Sequence, residues 1–302
     1  MKAVVLHEYG PPSKLKYEDF PDPKPGPGEI LVAVRAASLN PIDWKMRSGA
    51  AKERFPLTLP AILGRDFAGI VRELGQDVKD FAIGDRVFGI ALGTYAELCV
   101  VKAAAVAKIP EGLEMTVAAT VPLVSCTGDQ LIRNGTAVQP GQTILLTGAL
   151  GSVGRCALFA AREIGAKVIA GVRKDQIDEA KAIGAIDAID LSDDSAIAKL
   201  GTIDGVADTV GGDVATKLLA KVKPGGNYGS TLGPPKDAAL HPTVNIKPVM
   251  AQPVPATYVH YGEAIRDGKL ILPIDRVTPL SEAAEAQAAA EKGGVGKIVL
   301  TP

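Results

Sequence analysis

The chain has 302 residues, of which 47% are hydrophobic and 22% charged, and its formal net charge is -1. This length favours two domains, since single hydrophobic cores stop growing at about 250 to 300 residues, and the composition excludes a disordered or fibrous protein. The near-neutral charge and the lack of a long Lys/Arg run give no indication of binding to nucleic acid or to a membrane surface. They favour a small molecule as the binding partner.

The N-terminal residues turn polar after a few apolar positions in MKAVVLHEYG. This predicts neither a signal peptide nor a membrane span, and it indicates a cytoplasmic protein. Cys99, Cys126 and Cys156 are odd in number, far apart and without C-x-x-C spacing. We therefore expect reduced, mostly buried thiols rather than disulfides or structural zinc.

The first third of the chain alternates short β-branched runs with turns rich in Pro and Gly, which predicts a compact all-β unit. The predicted strands are KAVVLH, EILVAVRAASL, AGIVREL, DRVFGI and YAELCVV. After Pro110, the spaced small and apolar residues of EMTVAATVPLVSCTGDQLI favour one or two helices.

From Gln142 to about Leu232, short apolar runs alternate with helical segments. The runs TILLTG, AKVIAGV, DAIDL, GVADTV and GNYGSTL have the continuous apolar character of parallel strands covered on both faces. The segments SVGRCALFAAREIGA, KDQIDEAKAIGA and VATKLLAKVKPGG are predicted helices, the last one ending at Pro-Gly-Gly. The alternation predicts a doubly wound α/β sheet.

The C-terminal part, from about Tyr261, contains an Ala-rich helix, LSEAAEAQAAAEKGG, and a final strand, GKIVLTP. We expect this part to return to the N-terminal unit. Residues 1–122 and 261–302 would then form one discontinuous domain, and residues 123–260 the other.

The segment TGALGSVGR lies directly after a predicted strand and before a predicted helix, a context typical of dinucleotide binding. Such a site needs a tight turn, then backbone without Cβ near the pyrophosphate, then a close helix–strand contact. Gly151 and Gly154 fill the last two roles, whereas Ala149 requires a turn that tolerates a methyl group. The predicted cofactor-binding residues here are Thr147, Gly148, Ala149, Gly151, Ser152, Val153 and Gly154. The alternative is a glycine-rich turn that binds nothing.

The end of the second predicted strand of this sheet, AGVRKDQ, bears on the choice of cofactor. An NAD site places a carboxylate there, about 20 residues past the glycines, to accept hydrogen bonds from the ribose hydroxyls. Arg173 and Lys174 instead favour the 2′-phosphate of NADP(H). Asp175 keeps NAD as an alternative, and solvated surface cations are a further one.

Six ordered motifs span nearly the whole chain: SLNPIDWKMRSG, LGRDFAGIV, GDRVFG, GTYAE, TGALGSVG and GKIVL. Together they resemble the zinc-independent quinone oxidoreductase branch of the medium-chain dehydrogenase/reductase superfamily. The resemblance implies a GroES-like β-barrel domain built from both ends of the chain and a Rossmann domain between them. It also implies an active-site cleft where the two meet and, commonly, a homodimer.

Zinc-dependent members of that superfamily need a cysteine near the start, a Gly-His-Glu segment and a further ligand. This chain has Ser38 and Asn40 in the first region and Gly64-Arg65-Asp66 in the second, and it lacks the four-cysteine lobe of structural zinc. No plausible Cys/His ligand set can be assembled from its sequence. Without a Lewis acid, the substrate must be intrinsically electrophilic, as quinones and α,β-unsaturated carbonyls are.

By resemblance, Asn40 is expected beside the nicotinamide, and Tyr95 and Thr127 near the cofactor. Asn40, Trp44 and Tyr95 are the candidate catalytic residues; Trp44 replaces the smaller or phenolic residues often found in this region of the family. Asn40, Tyr95 and Thr127 each have an alternative role. Asn40 would only shape the turn before Pro41, Tyr95 would only pack, and Thr127 would cap a helix.

Two further residues complete the predicted cofactor site. Tyr228 lies in GGNYGS, near the carboxyl end of a predicted strand, and Lys297 lies in GKIVL. The sequence thus predicts an NADPH-dependent, zinc-independent reductase of quinones or enones. The alternatives are an NADPH-binding structural or regulatory protein with little catalysis and a zinc-type alcohol dehydrogenase.

Overall fold

The computed structural model describes residues 1–293 and 296–302 and contains two compact units. The first unit comprises Met1–Leu123 and Pro253–Pro302, and the second comprises Val124–Gln252. The chain thus returns to the first unit earlier than the predicted position, Tyr261. The reason is a helix at Pro255–Arg266, in which Tyr258 is fully buried and meets the Phe88 ring edge-on at 5.9 Å.

The strands of the described residues are numbered in chain order. They are β1 (Lys2–Leu6), β2 (Leu15–Asp19), β3 (Glu29–Ser38), β4 (Ala61–Ile62), β5 (Asp66–Leu74), β6 (Arg86–Ile90), β7 (Leu98–Lys102), β8 (Val106–Lys108), β9 (Thr143–Thr147), β10 (Lys167–Val172), β11 (Asp187–Asp190), β12 (Ile203–Asp208), β13 (Val222–Ser230), β14 (Asn245–Pro248), β15 (Ile274–Pro279) and β16 (Lys297–Thr301).

The α-helices of the same residues are numbered likewise. They are α1 (Pro41–Ser48), α2 (Met115–Ala118), α3 (Pro122–Gln130), α4 (Ser152–Ile164), α5 (Ile177–Ala182), α6 (Asp194–Lys199), α7 (Gly212–Leu219), α8 (Pro255–Arg266) and α9 (Ala283–Lys292). Among them, no helix has the length and apolar character needed to cross a bilayer.

Two sheets form the first unit, and its GroES-like β architecture is confirmed. One sheet has the order β2-β1-β4, and the other has the order β15-β16-β3-β5-β6-β8, with β7 also paired to β3. In the larger sheet, Ser38 at the end of β3 lies opposite both Asp66 and Val299. The start of β16 is therefore brought to the end of β3 and the beginning of β5.

The second unit is a single parallel sheet of six strands in the order β11-β10-β9-β12-β13-β14. Counted from β9, this is the 3-2-1-4-5-6 order of the Rossmann fold, so the predicted doubly wound sheet is confirmed. Apolar residues pack on both faces of the sheet. The strand order reverses between β9 and β12, and ligands of such sheets bind beyond the carboxyl ends of the strands at this point.

One predicted boundary is wrong. Helix α7 ends at Leu219, and the Pro-Gly-Gly sequence lies inside strand β13 instead of stopping the helix. A Cβ at Gly226 would lie 2.6 Å from the carbonyl oxygen of Asp204, so glycine allows β13 to approach β12 closely where their register shifts. Gly226 therefore serves a contact between strands, which the Pro-Gly-Gly pattern in the sequence does not reveal.

The cysteines agree with expectation. Cys99, Cys126 and Cys156 are buried, and none of them forms a disulfide.

Candidate functional site

The glycine-rich loop between β9 and α4 makes its tight turn at Gly148. This residue has a φ of +64°, its N–H donates to the Gly171 carbonyl at 2.9 Å, and its own carbonyl accepts from the Gly151 N–H at 3.0 Å. Because Gly148 takes the left-handed conformation, the next residue, Ala149, does not need to be glycine. This explains how the turn tolerates the methyl group.

The N-terminus of α4 is arranged to receive an anion. Gly151 precedes the helix in an extended conformation and gives it no side-chain cap, and the first turn contains no acidic residue. The first intrahelical hydrogen bond runs from the Arg155 N–H to the Gly151 carbonyl at 2.8 Å. The N–H groups of the first turn, at Ser152, Val153 and Gly154, have no intrahelical acceptor, so they suit a pyrophosphate.

The other two glycines of the loop differ in their surroundings. A Cβ at Gly154 would lie 2.1 Å from the Gly148 carbonyl oxygen and 2.7 Å from the Ala149 Cα, so helix and loop touch there. A Cβ at Gly151 would meet only the Gly148 oxygen, at 3.3 Å. Gly154 therefore makes a close contact between the helix and the loop, where a helix–strand contact was predicted. Gly151 is less crowded, with one backbone oxygen close to the position of a Cβ, and its approach to a pyrophosphate stays a prediction.

Arg155 and Asp208 brace this loop, and sequence reasoning missed both. The buried Arg155 guanidinium donates from Nε to the Leu150 carbonyl at 3.0 Å and also bonds Glu179 of α5. The Asp208 carboxylate accepts from the Thr147 hydroxyl at 2.8 Å. A polar residue at the carboxyl end of the predicted strand GVADTV was the available signal for Asp208.

Thr147 is fully buried, and its hydroxyl connects β9 to β12. Besides donating to Asp208, it accepts from the Thr209 N–H at 2.8 Å. Asp208 in turn accepts from the N–H groups of Val210 at 3.1 Å and Gly211 at 3.0 Å. The side chain of Thr147 thus holds together the strand ends at the switch point, and its predicted contact with a cofactor stays a prediction.

The end of β10 carries two exposed cations, Arg173 and Lys174. The nearest acid to the Arg173 guanidinium is Asp175, at 3.5 Å, and their side chains are 67% and 74% exposed. An ion pair this exposed contributes little free energy, so Asp175 does not neutralise Arg173 strongly. The position therefore retains a positive charge that is open to solvent.

Two other predicted cofactor residues differ in accessibility. Tyr228 in β13 is fully buried, and burial, with the Asp208 carboxylate adding to it, raises the pKa of its hydroxyl. This placement favours packing. Thr127 is half-buried in α3 beside Gly128, where an added Cβ would lie 2.8 Å from the Val153 carbonyl. Helix α3 therefore touches the first turn of α4 beside Thr127.

In the first unit, a buried polar cluster surrounds Asn40, the residue before α1. The Asn40 amide nitrogen Nδ2 donates to Asp66 Oδ2 at 2.8 Å, and its oxygen Oδ1 accepts from Lys297 Nζ at 2.6 Å. Asp66 also accepts from the Ser38 hydroxyl at 2.8 Å and from the Leu123 N–H at 2.8 Å. Burial raises the pKa of Asp66, and the Lys297 ammonium, 3.8 Å away, opposes this effect.

A second buried carboxyl, Asp43, adjoins this cluster. Its Oδ2 accepts from the Asn40 N–H at 2.8 Å and from the Tyr95 hydroxyl at 2.7 Å. Its Oδ1 is buried without a hydrogen-bond partner among the described residues, and burial raises the pKa of Asp43 to about 7. Tyr95 is fully buried too, and burial raises its pKa well above the ordinary value. This placement favours the packing role of Tyr95 over a direct contact with substrate.

Asp43 should make stability depend on pH. Raising the pH from about 5 to about 7 is expected to lower the free energy of unfolding by about 2 kcal/mol through this group. The carboxyl is ionised in the unfolded chain over this range, whereas the folded protein keeps it protonated up to a pKa of about 7. Its stabilising contribution is thus complete below about pH 4 and is lost as the pH rises through 7. The Asp43→Asn variant cannot titrate and should lack this slope in urea denaturation.

Asp85→Asn is the matched control for that measurement. A hydrogen bond from Lys108 lowers the pKa of Asp85, so this carboxyl is ionised in both states above about pH 5. Asp85→Asn should therefore keep the wild-type slope. Equal slopes for wild type and Asp43→Asn would contradict the assignment to Asp43.

The remaining predicted residue of this unit is Trp44. It lies half-buried in α1, one turn beyond Asn40. The structure thus brings Asn40, Tyr95 and Lys297 into one connected group with Ser38, Asp43 and Asp66. Within the described residues, no three His, Cys, Asp or Glu side chains are grouped so that they could hold a metal ion.

Comparisons with known proteins agree with this architecture. The alcohol dehydrogenase GroES-like domain family matches residues 26–111, and the zinc-binding dehydrogenase family matches residues 183–300. A quinone oxidoreductase of Pseudomonas aeruginosa is 35% identical over 246 residues, which covers 77% of this chain and 74% of the relative.

Solved structures that are similar over the whole chain include two quinone oxidoreductases. The quinone oxidoreductase from Coxiella burnetii has 32% identity and a TM-score of 0.92, covering 100% of this chain and 99% of that one. The Escherichia coli quinone oxidoreductase complexed with NADPH has 25% identity and a TM-score of 0.88, covering 100% of both chains.

Proposed function

This chain belongs to the medium-chain dehydrogenase/reductase superfamily and groups with its quinone oxidoreductases, and from that premise we propose an NADPH-dependent, zinc-independent reductase of quinones or α,β-unsaturated carbonyls. The coarser activity, an NAD(P)-dependent oxidoreductase, follows from the family. The observation that carries the finer proposal is the uncapped N-terminus of α4, combined with the exposed cation Arg173 at the end of β10.

The residues of the second unit fit NADPH. The first-turn N–H groups of α4 would bind the pyrophosphate, and Gly151 leaves room for its close approach. Arg173 and Lys174 would hold the 2′-phosphate through charge-assisted hydrogen bonds. The Escherichia coli relative was solved with NADPH, which supports the same preference here.

The buried cluster of the first unit does not fit a catalytic zinc. This chain has Ser38 in the region where zinc-dependent relatives have a cysteine, and Gly64-Arg65-Asp66 in place of their Gly-His-Glu segment. Here the Ser38 hydroxyl donates to Asp66. The ammonium of Lys297 lies 3.8 Å from the same carboxylate and already compensates its charge. A zinc ion would have to displace these interactions and share the cluster with a cation, which supports zinc-free chemistry.

Zinc-free chemistry limits the acceptor to an electrophile that spreads the charge it gains. NADPH, when bound, supplies the hydride. Addition of hydride to a quinone leaves a delocalised quinol anion, and addition to the β-carbon of an enone leaves an enolate. Transfer of a proton from water to this anion completes the reduction. In the first unit, the protein's contribution would be the fixed orientation of the Asn40 carboxamide, which is held between the Asp66 carboxylate and the Lys297 ammonium.

The purified protein should oxidise NADPH in the presence of 1,4-naphthoquinone or of a 2-alkenal, with NADH a poorer donor. Product chromatography then separates quinone reduction from carbon–carbon double-bond reduction. Turnover of neither class, together with tight NADPH binding, would overturn the enzyme proposal and favour an NADPH-binding protein. Stoichiometric zinc with alcohol oxidation would favour the alcohol dehydrogenase instead. Light scattering on the same sample tests the expected homodimer.

A further inference from the structure

We infer that Lys297 is a positioning residue that fixes the Asn40 carboxamide in one orientation, so that Asn40 offers a ligand a hydrogen-bond acceptor and not a donor. The sequence predicted Lys297 as a cofactor ligand. In the structure its side chain is 5% exposed, and its Nζ donates to Asn40 Oδ1 at 2.6 Å. The inference rests on the proposed function in one respect, namely that Asn40 takes part in the reaction.

The two neighbours of the Asn40 amide have opposite hydrogen-bonding character. The ammonium of Lys297 can only donate, and an ionised Asp66 can only accept. All the hydrogen bonds that fix Asp66 are accepted ones, from Asn40, Ser38 and the Leu123 N–H, and the ionised carboxylate satisfies them in full. The cluster thus provides one cation at the amide oxygen and one anion at the amide nitrogen.

This arrangement excludes the flipped amide. Rotation by half a turn would place Oδ1 against Asp66 and the NH2 group against Lys297, with the loss of two charge-assisted hydrogen bonds. The orientation of an asparagine amide usually has to be inferred from its hydrogen-bond partners. Here both partners require the same orientation, with Nδ2 at Asp66 and Oδ1 at Lys297. Lys297 and Asp66 therefore act together as a clamp on Asn40.

The clamp determines which hydrogen-bonding groups of the Asn40 carboxamide are available to a ligand. Both hydrogens of Nδ2 have acceptors, Asp66 Oδ2 at 2.8 Å and the Ser38 carbonyl at 3.3 Å. Oδ1 accepts from Lys297 and keeps a second lone pair. Asn40 is 2% exposed, so only a hydroxyl or a carboxamide N–H that reaches into the cluster could bond to that lone pair, whereas an oxyanion of the substrate could not. Asn40 thus orients a donor group and does not stabilise developing negative charge.

A double-mutant cycle on Asn40 and Lys297 tests the positioning role. We expect Lys297→Met to lower kcat about 10- to 100-fold, as loss of an orienting partner commonly does, with an unchanged dissociation constant for NADPH. Lys297→Arg, which keeps a cationic donor, should recover much of the loss. Lys297→Met added to Asn40→Ala should lower kcat no further. Lys102→Met, at an exposed lysine of the same unit, should match wild type.

Two results would overturn the inference. One is a Lys297→Met variant that binds NADPH at least about tenfold more weakly but keeps its kcat at saturation, which would make Lys297 a cofactor ligand. The other is full additivity of the two substitutions. Because Lys297→Met leaves Asp66 buried without its counter-ion, Lys297→Met/Asp66→Asn serves as a charge-neutral second variant, and the same kcat loss is expected from it.

A readout that needs no turnover separates this inference from the proposed function. The midpoints of thermal unfolding of wild type, the two single variants and the double variant report whether Asn40 and Lys297 interact in the folded protein. Non-additive midpoints are expected, and additive ones would overturn the clamp even in an active enzyme. A wild-type protein without reductase activity would overturn the proposed function, and the unfolding cycle would still test the clamp.

Discussion

Gly154→Ala should lower the free energy of unfolding by about 3 kcal/mol and abolish NADPH binding, because the added methyl group has no room. It would lie 2.1 Å from the Gly148 carbonyl oxygen and 2.7 Å from the Ala149 Cα. Both are backbone atoms, so the helix α4 must move away from the loop to admit it. Urea denaturation measures the loss of stability, and fluorescence titration with NADPH measures binding.

Gly151→Ala is the matched substitution three residues earlier in the same loop. Its methyl group would meet only the Gly148 oxygen, at 3.3 Å, and Gly151 has an extended conformation open to any residue. We expect the free energy of unfolding to fall by about 1 kcal/mol at most, because this one backbone contact needs only a small shift. We also expect weaker NADPH binding, since the methyl group would stand where the pyrophosphate approaches. Normal binding by Gly151→Ala would contradict a pyrophosphate site here, and normal stability of Gly154→Ala would contradict the tight contact.

Arg173→Ala should weaken NADPH binding roughly ten- to a hundredfold, which corresponds to the loss of about 1.5–3 kcal/mol from a charge-assisted hydrogen bond. The Arg173 side chain is 67% exposed and only loosely paired with Asp175, so its charge is available to a 2′-phosphate. NADH lacks that phosphate. Its affinity should therefore not change, and titrations with both dinucleotides measure the difference.

Lys167→Ala is the control for Arg173→Ala. Lys167 is exposed at the opposite end of the same strand, β10, so it carries the same charge but lies away from the carboxyl edge of the sheet. It should leave both affinities unchanged. Unchanged NADPH binding by Arg173→Ala, or equal weakening for NADPH and NADH, would remove the basis for the NADP(H) assignment.

The conformation of the glycine-rich loop between β9 and α4 was largely predictable because its determinants are local. The turn residue Gly148, the residue before the helix, Gly151, and the tightly packed Gly154 in the first turn of α4 lie within seven consecutive positions directly after β9. The conformations they need are set by the absence of a Cβ, which the sequence shows directly. Even here the structure refined one point, since the left-handed turn is at Gly148 and not at the position of Ala149.

The cluster around Asn40 was predictable only in part. The resemblance pointed to Asn40, Tyr95 and Lys297 as separate residues, and the structure connects them. Lys297 and Asn40 are 257 positions apart, yet their side chains are 2.6 Å from each other. No local sequence pattern indicated that Asp43 would have a pKa near 7. Its pKa is raised by complete burial, which depends on the tertiary structure.

Strand and helix periodicity, glycine conformation and formal charge are properties of short segments, so the parallel sheet, the glycine loop and the positive charge at the end of β10 could be predicted without a structure. Only the tertiary structure shows which polar side chains are buried and hydrogen-bonded to one another. The pairing of β3 with both β5 and β16 brings Ser38, Asp66 and the start of β16 together. Their buried side chains, with Asn40, then form one hydrogen-bonded cluster that contains a carboxylate and an ammonium. Such pairing depends on contacts across most of the chain, and single-sequence patterns do not carry it.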